Sequence, residues 1–224
     1  MYNMTKLSIV GVGPGSPDFI TPAAKKAVLE AQLIVGAKRS LDLFQSELKG
    51  EVIQLTGQNV DASLINAVNS VKAGRTVVLL STGDPGFSGL LGSVLSRISA
   101  GEVELEVVPG ISSIQACAAA LSIAWDNADI LTFHNGASVE KKHFLLSSVK
   151  TGKTIFLLPE PKSFTPSQIA KFLIENGINR LTQVAICENI TLGNENIVET
   201  SLEEIVELTT ASLCVMVIRS NVKK

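Results

Sequence analysis

Aromatic residues are scarce. They make up 4% of the chain, with a single Trp and a single Tyr, so any sizeable core has to be built from Val, Ile, Leu and Ala. An excess of positive charge is missing too. A formal net charge of −2 argues against the broad basic face that sequence-independent nucleic-acid binding needs, while leaving room for a local basic pocket. No run approaches the roughly 20 apolar residues that span a bilayer, and the segment from Met1 to Lys6 lacks the basic-then-apolar order of a secretory signal. Neither a membrane nor a nucleic-acid partner is expected. Cysteine is confined to Cys117, Cys187 and Cys214, widely spaced and apolar-flanked, with no C-x-x-C pair and no Cys/His cluster. This pattern reads as buried reduced thiols in a cytoplasmic protein, and it points to no metal ligands and no disulfides.

What is present is an alternation. Apolar runs of strand length fall at residues 7–10, 33–35, 76–81 and 104–108, then at 130–134, 154–158, 183–187 and 213–219. Apolar residues on consecutive positions suit strands covered on both faces, as in parallel sheets. Helical segments are expected between them, over 22–31, 61–73, 112–121 and 166–176. Thr21 is placed to cap the first with Pro22 at its first position, and Gly177 to end the last. Ser201 with Glu204 three residues on fits a capping box. The composition shifts near residue 120, where glycine-rich loops give way to a polar turn at 126–129. The expectation is an α/β protein of two α/β lobes with mainly parallel sheets, residues 1–120 and 121–224, and no internal repeat.

Three Gly/Pro loops each follow a strand of the first lobe. The first, from Val10 to Pro22, alternates Gly11, Gly13 and Gly15 with Pro14 and Pro17. It lacks the G-x-G-x-x-G spacing of a dinucleotide loop, because Ser16 stands at the third required position. No acid sits at Val35, Gly36 or Ala37 to recognise a ribose, which speaks against an NAD-dependent oxidoreductase. The second loop runs Ser81-Thr82-Gly83-Asp84-Pro85-Gly86-Phe87-Ser88-Gly89, and the third Val108-Pro109-Gly110-Ile111-Ser112-Ser113. Each alone has a plain alternative: a tight turn with Asp84 capping the next helix, or Ser112 as an N-cap. A parallel sheet gathers all three on one edge, where backbone without Cβ atoms approaches a ligand closely.

Taken together and in this order, G-x-G-P-G, G-D-P-x-F and P-G-I-S-S resemble the tetrapyrrole (corrin and porphyrin) methyltransferase family, over nearly the whole chain. Val35-Gly36-Ala37-Lys38-Arg39, Ala124-Trp125-Asp126-Asn127-Ala128, Phe133-His134 and the stretch from Cys187 to Glu195 resemble the branch that methylates C5 of a cobalt-precorrin in cobalamin synthesis. Ala37, where that branch usually has Gly, departs from it, as does the lack of a basic residue near Gly136. The resemblance implies a cleft between two α/β lobes holding S-adenosylmethionine. Cofactor contacts are then expected from Pro14, Gly83, Asp84, Phe87, Ser112 and Ser113, and in the second lobe from Leu158, Ala185 and Ile186. An anionic tetrapyrrole calls for cations at the rim, and Lys38 and Arg39, directly after a strand, are the candidates. Trp125 is a candidate wall for the macrocycle, and His134 a candidate substrate contact or proton acceptor. Against these stand plain readings: a solvated charged turn, a core tryptophan and a structural histidine. The basic run Lys141-Lys142-His143 reads as an exposed helix face.

The implied reaction moves a methyl group from a sulfonium to a ring carbon. It needs positioning more than a protein nucleophile, consistent with the lack of a G-x-S-x-G motif. The family implies a homodimer. A second methylation at C15, with decarboxylation, is expected from a separate protein, since 224 residues leave no room for its domain. Competing readings are another methylase of the family, acting on uroporphyrinogen, another precorrin or diphthine, and a non-catalytic tetrapyrrole-binding protein.

Overall fold

A computed structural model describes residues 6–45, 47–99 and 101–219. The chain divides into two compact units, Met1–Ser112 and Ser113–Lys224. This division falls ahead of the position expected near residue 120, because the helix Ser113–Ala120 packs on a strand of the second unit.

The first unit contains β1 (Lys6–Gly11), α1 (Pro22–Glu30), β2 (Leu33–Ala37), α2 (Lys38–Asp42), β3 (Glu51–Leu55), α3 (Val60–Lys72), β4 (Val77–Ser81), α4 (Leu90–Leu95) and β5 (Glu104–Val108). The strands form one sheet in the order β3-β2-β4-β1-β5, and every pairing is parallel. Leu7, Ile9 and Val10 of the central β1 are fully buried, as consecutive apolar residues require when both faces are covered. Alternate residues feed two cores. Val10, Ile34, Val78 and Leu80 pack with α1 and α2, whereas Leu7, Ile9, Leu33, Val35, Val77 and Leu79 pack with α3 and α4. Thr21 caps α1 by accepting the Ala24 N–H at 3.1 Å. A single 3-10 turn at Pro17–Phe19, capped by Ser16, was not expected from the sequence.

The second unit contains α5 (Ser113–Ala120), β6 (Asp129–Thr132), α6 (Val139–Lys150), β7 (Ile155–Leu158), α7 (Pro166–Glu175), β8 (Gln183–Glu188), β9 (Asn196–Ser201), α8 (Leu202–Ile205) and β10 (Cys214–Ile218). Its sheet has the order β6-β7-β10-β8-β9. The expectation of mainly parallel sheets meets a difference here: only β6 and β7 run parallel, and the remaining pairings are antiparallel. For β8 and β9 the physical reason is their short connection through residues 189–195, too brief for the crossover that a parallel pair needs; β10 enters between β7 and β8 antiparallel to both. One face of this sheet forms a core with α6, α7 and α8, including Phe133, Leu157, Ile186 and Met216. On the other face α5 contacts β10.

The cysteines are unpaired. The hydrogen bond with Cys187 and burial push the Cys117 thiol well above its ordinary range. Burial raises Cys214 to about 12. Such thiols are protonated and chemically quiet at neutral pH.

Candidate functional site

The order of strands in the first sheet singles out one place. The chain leaves β1 toward α1 on one face and leaves the neighbouring β4 toward α4 on the other. Where adjacent parallel strands send their connections to opposite faces, a crevice opens at their carboxyl ends, and ligands of open α/β sheets bind there. The loops after β1, β4 and β5 meet at this edge.

They meet through backbone. Gly83 N–H donates to Gly13 O at 2.8 Å, an isolated bridge beyond the end of the β1–β4 pairing. Gly13 (φ 82°) and Gly83 (φ 68°) hold left-handed conformations that suit glycine. A Cβ on Gly11 would lie 2.5 Å from Gly110 N, and one on Gly110 would strike Gly83 O. So Gly11 and Gly110 admit each other's backbone. Gly83 differs: the nearest atom to a Cβ there is Ser112 Cα at 3.8 Å, so this buried glycine is not crowded by backbone as Gly11 and Gly110 are.

Asp84 organises the second and third loops. Its Oδ1 accepts the Gly86 N–H at 2.8 Å and its Oδ2 accepts the Gly110 N–H at 3.2 Å. The sequence offered two roles for this residue, a cap for the next helix and a ligand contact. The carboxylate ties the two loops across 26 positions. The cap of the following helix falls to Ser81, whose Oγ accepts the Leu90 N–H at 3.1 Å. Pro14 and Phe87 are half-buried in the first and second loops, Ser112 is buried at the end of the third, and Ser113 starts α5 in the second unit.

Lys38 and Arg39 open α2 directly beyond β2, on the same carboxyl edge. Their surroundings separate them. Lys38 Nζ donates to both oxygens of Asp42, at 2.9 and 2.7 Å, on an exposed turn; this bond from Lys38 holds the Asp42 carboxyl below the usual range. Arg39 turns to the neighbouring strand, its Nε donating to Thr82 Oγ1 at 3.1 Å, and Ser40 Oγ lies 3.0 Å from the same hydroxyl. Arg39 stays open to solvent, yet the protein around its guanidinium lowers its pKa from the ordinary arginine value; the group remains charged at any working pH.

In the second unit, Trp125 is exposed in the turn before β6, and His134 is exposed just after it. The two flank a four-residue strand of roughly 13 Å, so the fold puts them at opposite ends of β6 and does not bring them together. The backbone N–H of His134 donates to Thr132 Oγ1 at 3.2 Å, a local turn at the end of β6. The basic run after it departs from the expected exposed face. Lys141 Nζ donates to Thr132 O at 2.8 Å, and Lys142 Nζ lies 4.6 Å from the Phe164 ring centre; only His143 is exposed. Leu158 ends β7 half-buried. Ala185 and Ile186 are neighbours on β8 and therefore face opposite ways. Ile186 joins the core with Leu157 and Met216, while Ala185 shares the other face with Val217.

Two residues of the first-unit edge escaped the sequence reading, Thr82 and Ser40. Thr82 lies inside the second loop motif, but only the pairing of β2 with β4 shows what it touches. A groove along α3, lined by Leu64, Ile65, Val68 and Ile98 and bordered by Asn69, Glu102 and the Arg97–Asp61 ion pair, shares no residue with these loops. Among the described residues no cluster of three or more His, Cys, Asp or Glu is placed to hold a metal ion, and no helix is long and apolar enough to cross a membrane.

Comparison with known proteins gives three findings. The family model of the tetrapyrrole (corrin/porphyrin) methylases matches residues 6–206. A probable cobalt-precorrin-7 C(5)-methyltransferase of Methanocaldococcus jannaschii is 41% identical over 198 residues, 88% of this chain and 90% of that protein. Among solved structures, precorrin-6Y methylase from Archaeoglobus fulgidus superposes with a TM-score of 0.72 at 24% identity, over 97% of this chain and 99% of that one. Uroporphyrin-III C-methyl transferase from Thermus thermophilus, complexed with S-adenyl homocysteine, gives 0.76 at 22%, over 96% and 97%. At these identities the structural likeness is one of fold.

Proposed function

The chain belongs to the tetrapyrrole (corrin/porphyrin) methylase family, and from that premise we propose that it transfers a methyl group from S-adenosylmethionine to C5 of cobalt-precorrin-7 in cobalamin synthesis. The observation that carries the choice of acceptor is the 41% identity to a probable C(5)-methyltransferase across nine-tenths of both proteins. The loop edge supports the choice of cofactor. It is built from backbone, with the Gly13–Gly83 bridge and the Asp84–Gly110 bond bringing three loops together, and a polar ligand with several donors and acceptors suits such a surface.

S-adenosylmethionine supplies a methyl group already activated by its sulfonium charge. The chain's part is to bind, orient and shield. The Gly13–Gly83 bridge and the Asp84–Gly110 bond hold the three loops as one rigid edge. Pro14, Phe87 and Ser112 then offer contacts that do not have to be ordered on binding. Holding donor and acceptor carbons in line is worth roughly 7–11 kcal/mol when the geometry is good, so no protein nucleophile is required. Cobalt, where present, belongs to the substrate macrocycle. A homodimer in the cytoplasm completes the reading, with light scattering as the check on its mass.

The test is turnover of cobalt-precorrin-7 with S-adenosylmethionine carrying a carbon-13 methyl group. Label at C5 is the expected result. Label at another ring carbon moves the protein to a different branch of the family, and absence of label with the cofactor bound leaves a tetrapyrrole-binding protein.

A further inference from the structure

Five cations of the first unit, Lys6, Lys38, Lys72, Arg75 and Arg97, each close on a carboxylate within 2.8 Å. Arg39 does not. Its Nε is fixed by Thr82, and its two terminal amino groups have no partner among the described residues. Thr82 is itself held by Ser40, so a pair of hydroxyls fastens the start of α2 to the end of β4. The guanidinium is therefore pinned at one corner with its fork left over, and the residue that pins it, Thr82, lies in the second loop next to Gly83. A planar fork with both amino groups unengaged matches a carboxylate in bidentate geometry, which an ammonium cannot reproduce. The partial loss of water around it, which also lowers its pKa, makes an anionic ligand more welcome there.

We propose that Arg39, oriented by Thr82, binds a carboxylate of the acceptor macrocycle through its two terminal amino groups. This rests on the functional reading above. Two sources of carboxylate exist at such a site, the acceptor and the methionine end of the cofactor. The acceptor is favoured on charge. The cofactor's carboxylate is accompanied by its own ammonium and sulfonium, whereas the macrocycle carries several carboxylates and no compensating cation on its rim.

The test uses full-length Arg39→Ala, Arg39→Lys, Thr82→Val and Thr82→Ser, with Lys26→Ala on the exposed face of α1 as a charge control. Each is assayed on cobalt-precorrin-7 and titrated calorimetrically with S-adenosylhomocysteine. Arg39→Ala is expected to raise the acceptor KM about tenfold or more, with affinity for S-adenosylhomocysteine held within about twofold. Arg39→Lys recovers only part of this. Thr82→Val raises the acceptor KM severalfold with kcat kept, and Thr82→Ser restores it, a rescue that a purely structural role for the hydroxyl's neighbours would not give. The proposal is overturned if Arg39→Ala matches the control, if the loss falls on S-adenosylhomocysteine affinity instead, or if Thr82→Val matches wild type. Wild-type protein that binds no S-adenosylhomocysteine overturns the functional reading itself, which separates the two failures.

Discussion

Asp84 has both carboxylate oxygens engaged with backbone N–H groups of two loops, so a change there acts on loop geometry before it acts on any ligand. Hydrogen bonds to a charged group contribute roughly 1.5–3 kcal/mol each. Asp84→Asn keeps one acceptor and turns an amino group toward the other N–H. The expected outcome is a loss of about 2 kcal/mol in urea unfolding and a fall of about tenfold in affinity for S-adenosylhomocysteine. A variant that unfolds and binds like wild type would remove Asp84 from the loop edge. Gly110→Ala should be harsher, because its Cβ would strike the Gly83 carbonyl and neither backbone has a flexible end to swing away; the expected loss is more than about 3 kcal/mol. The glycines were legible in the sequence, but their use was not. Reading Gly11 and Gly110 as room for a ligand overlooked that a folded chain's commonest close neighbour is its own backbone. The partner of Asp84 is 26 positions away, and no local pattern announces it.

Among elements, the strands inside each sheet were legible, as were the edge strands β5 and β6, but the other two edge strands were not. β1, β2, β4, β7, β8 and β10 appear as apolar runs because each is flanked by helices or by other strands. The edge strands β3 and β9 were missed. Val52 is 43% exposed on β3, and β9 mixes Asn196, Glu199 and Thr200 with Ile197 and Val198, which breaks the run. The lysines of α6 were placed in solvent because spacing alone does not show that the end of β6 and the Phe164 ring lie beneath them. The other end of β6 is fastened by Asp129, which accepts from Ser148 at 2.6 Å and pairs with Lys153 at 2.7 Å. Burial alone would raise the Asp129 pKa; Lys153 and Ser148 overcome it and hold the carboxyl below the ordinary aspartate value. A depressed folded pKa contributes stability that is present above the unfolded value of about 3.9 and is lost as pH falls through the folded one. Lys153 is half exposed, so its share is reduced by solvent. Asp129→Asn is expected to cost about 1–2 kcal/mol, constant above about pH 5 and shrinking below it. Urea titrations across pH 3–7 check this, and a difference that grows toward acid would refute the assignment.

At the scale of the whole molecule, two units of nearly equal length each carry their own core, and the proposed ligand stabilises whatever it binds. At a hundred times its dissociation constant, S-adenosylhomocysteine should add about 2.7 kcal/mol, which for a chain of this size raises the Tm by roughly 5–10 °C. NAD at the same concentration should leave the Tm unmoved, and a shift with NAD alone would reopen the oxidoreductase reading. The central position of β1 has a consequence during synthesis. It leaves the ribosome well before its two neighbours, β4 and β5, which end at Ser81 and Val108. At ordinary elongation rates the nascent chain waits roughly 4–14 s for β4 alone. Until then a segment destined for complete burial lacks both of its partner strands, which makes β1 the natural ground for chaperone capture or for aggregation when translation stalls.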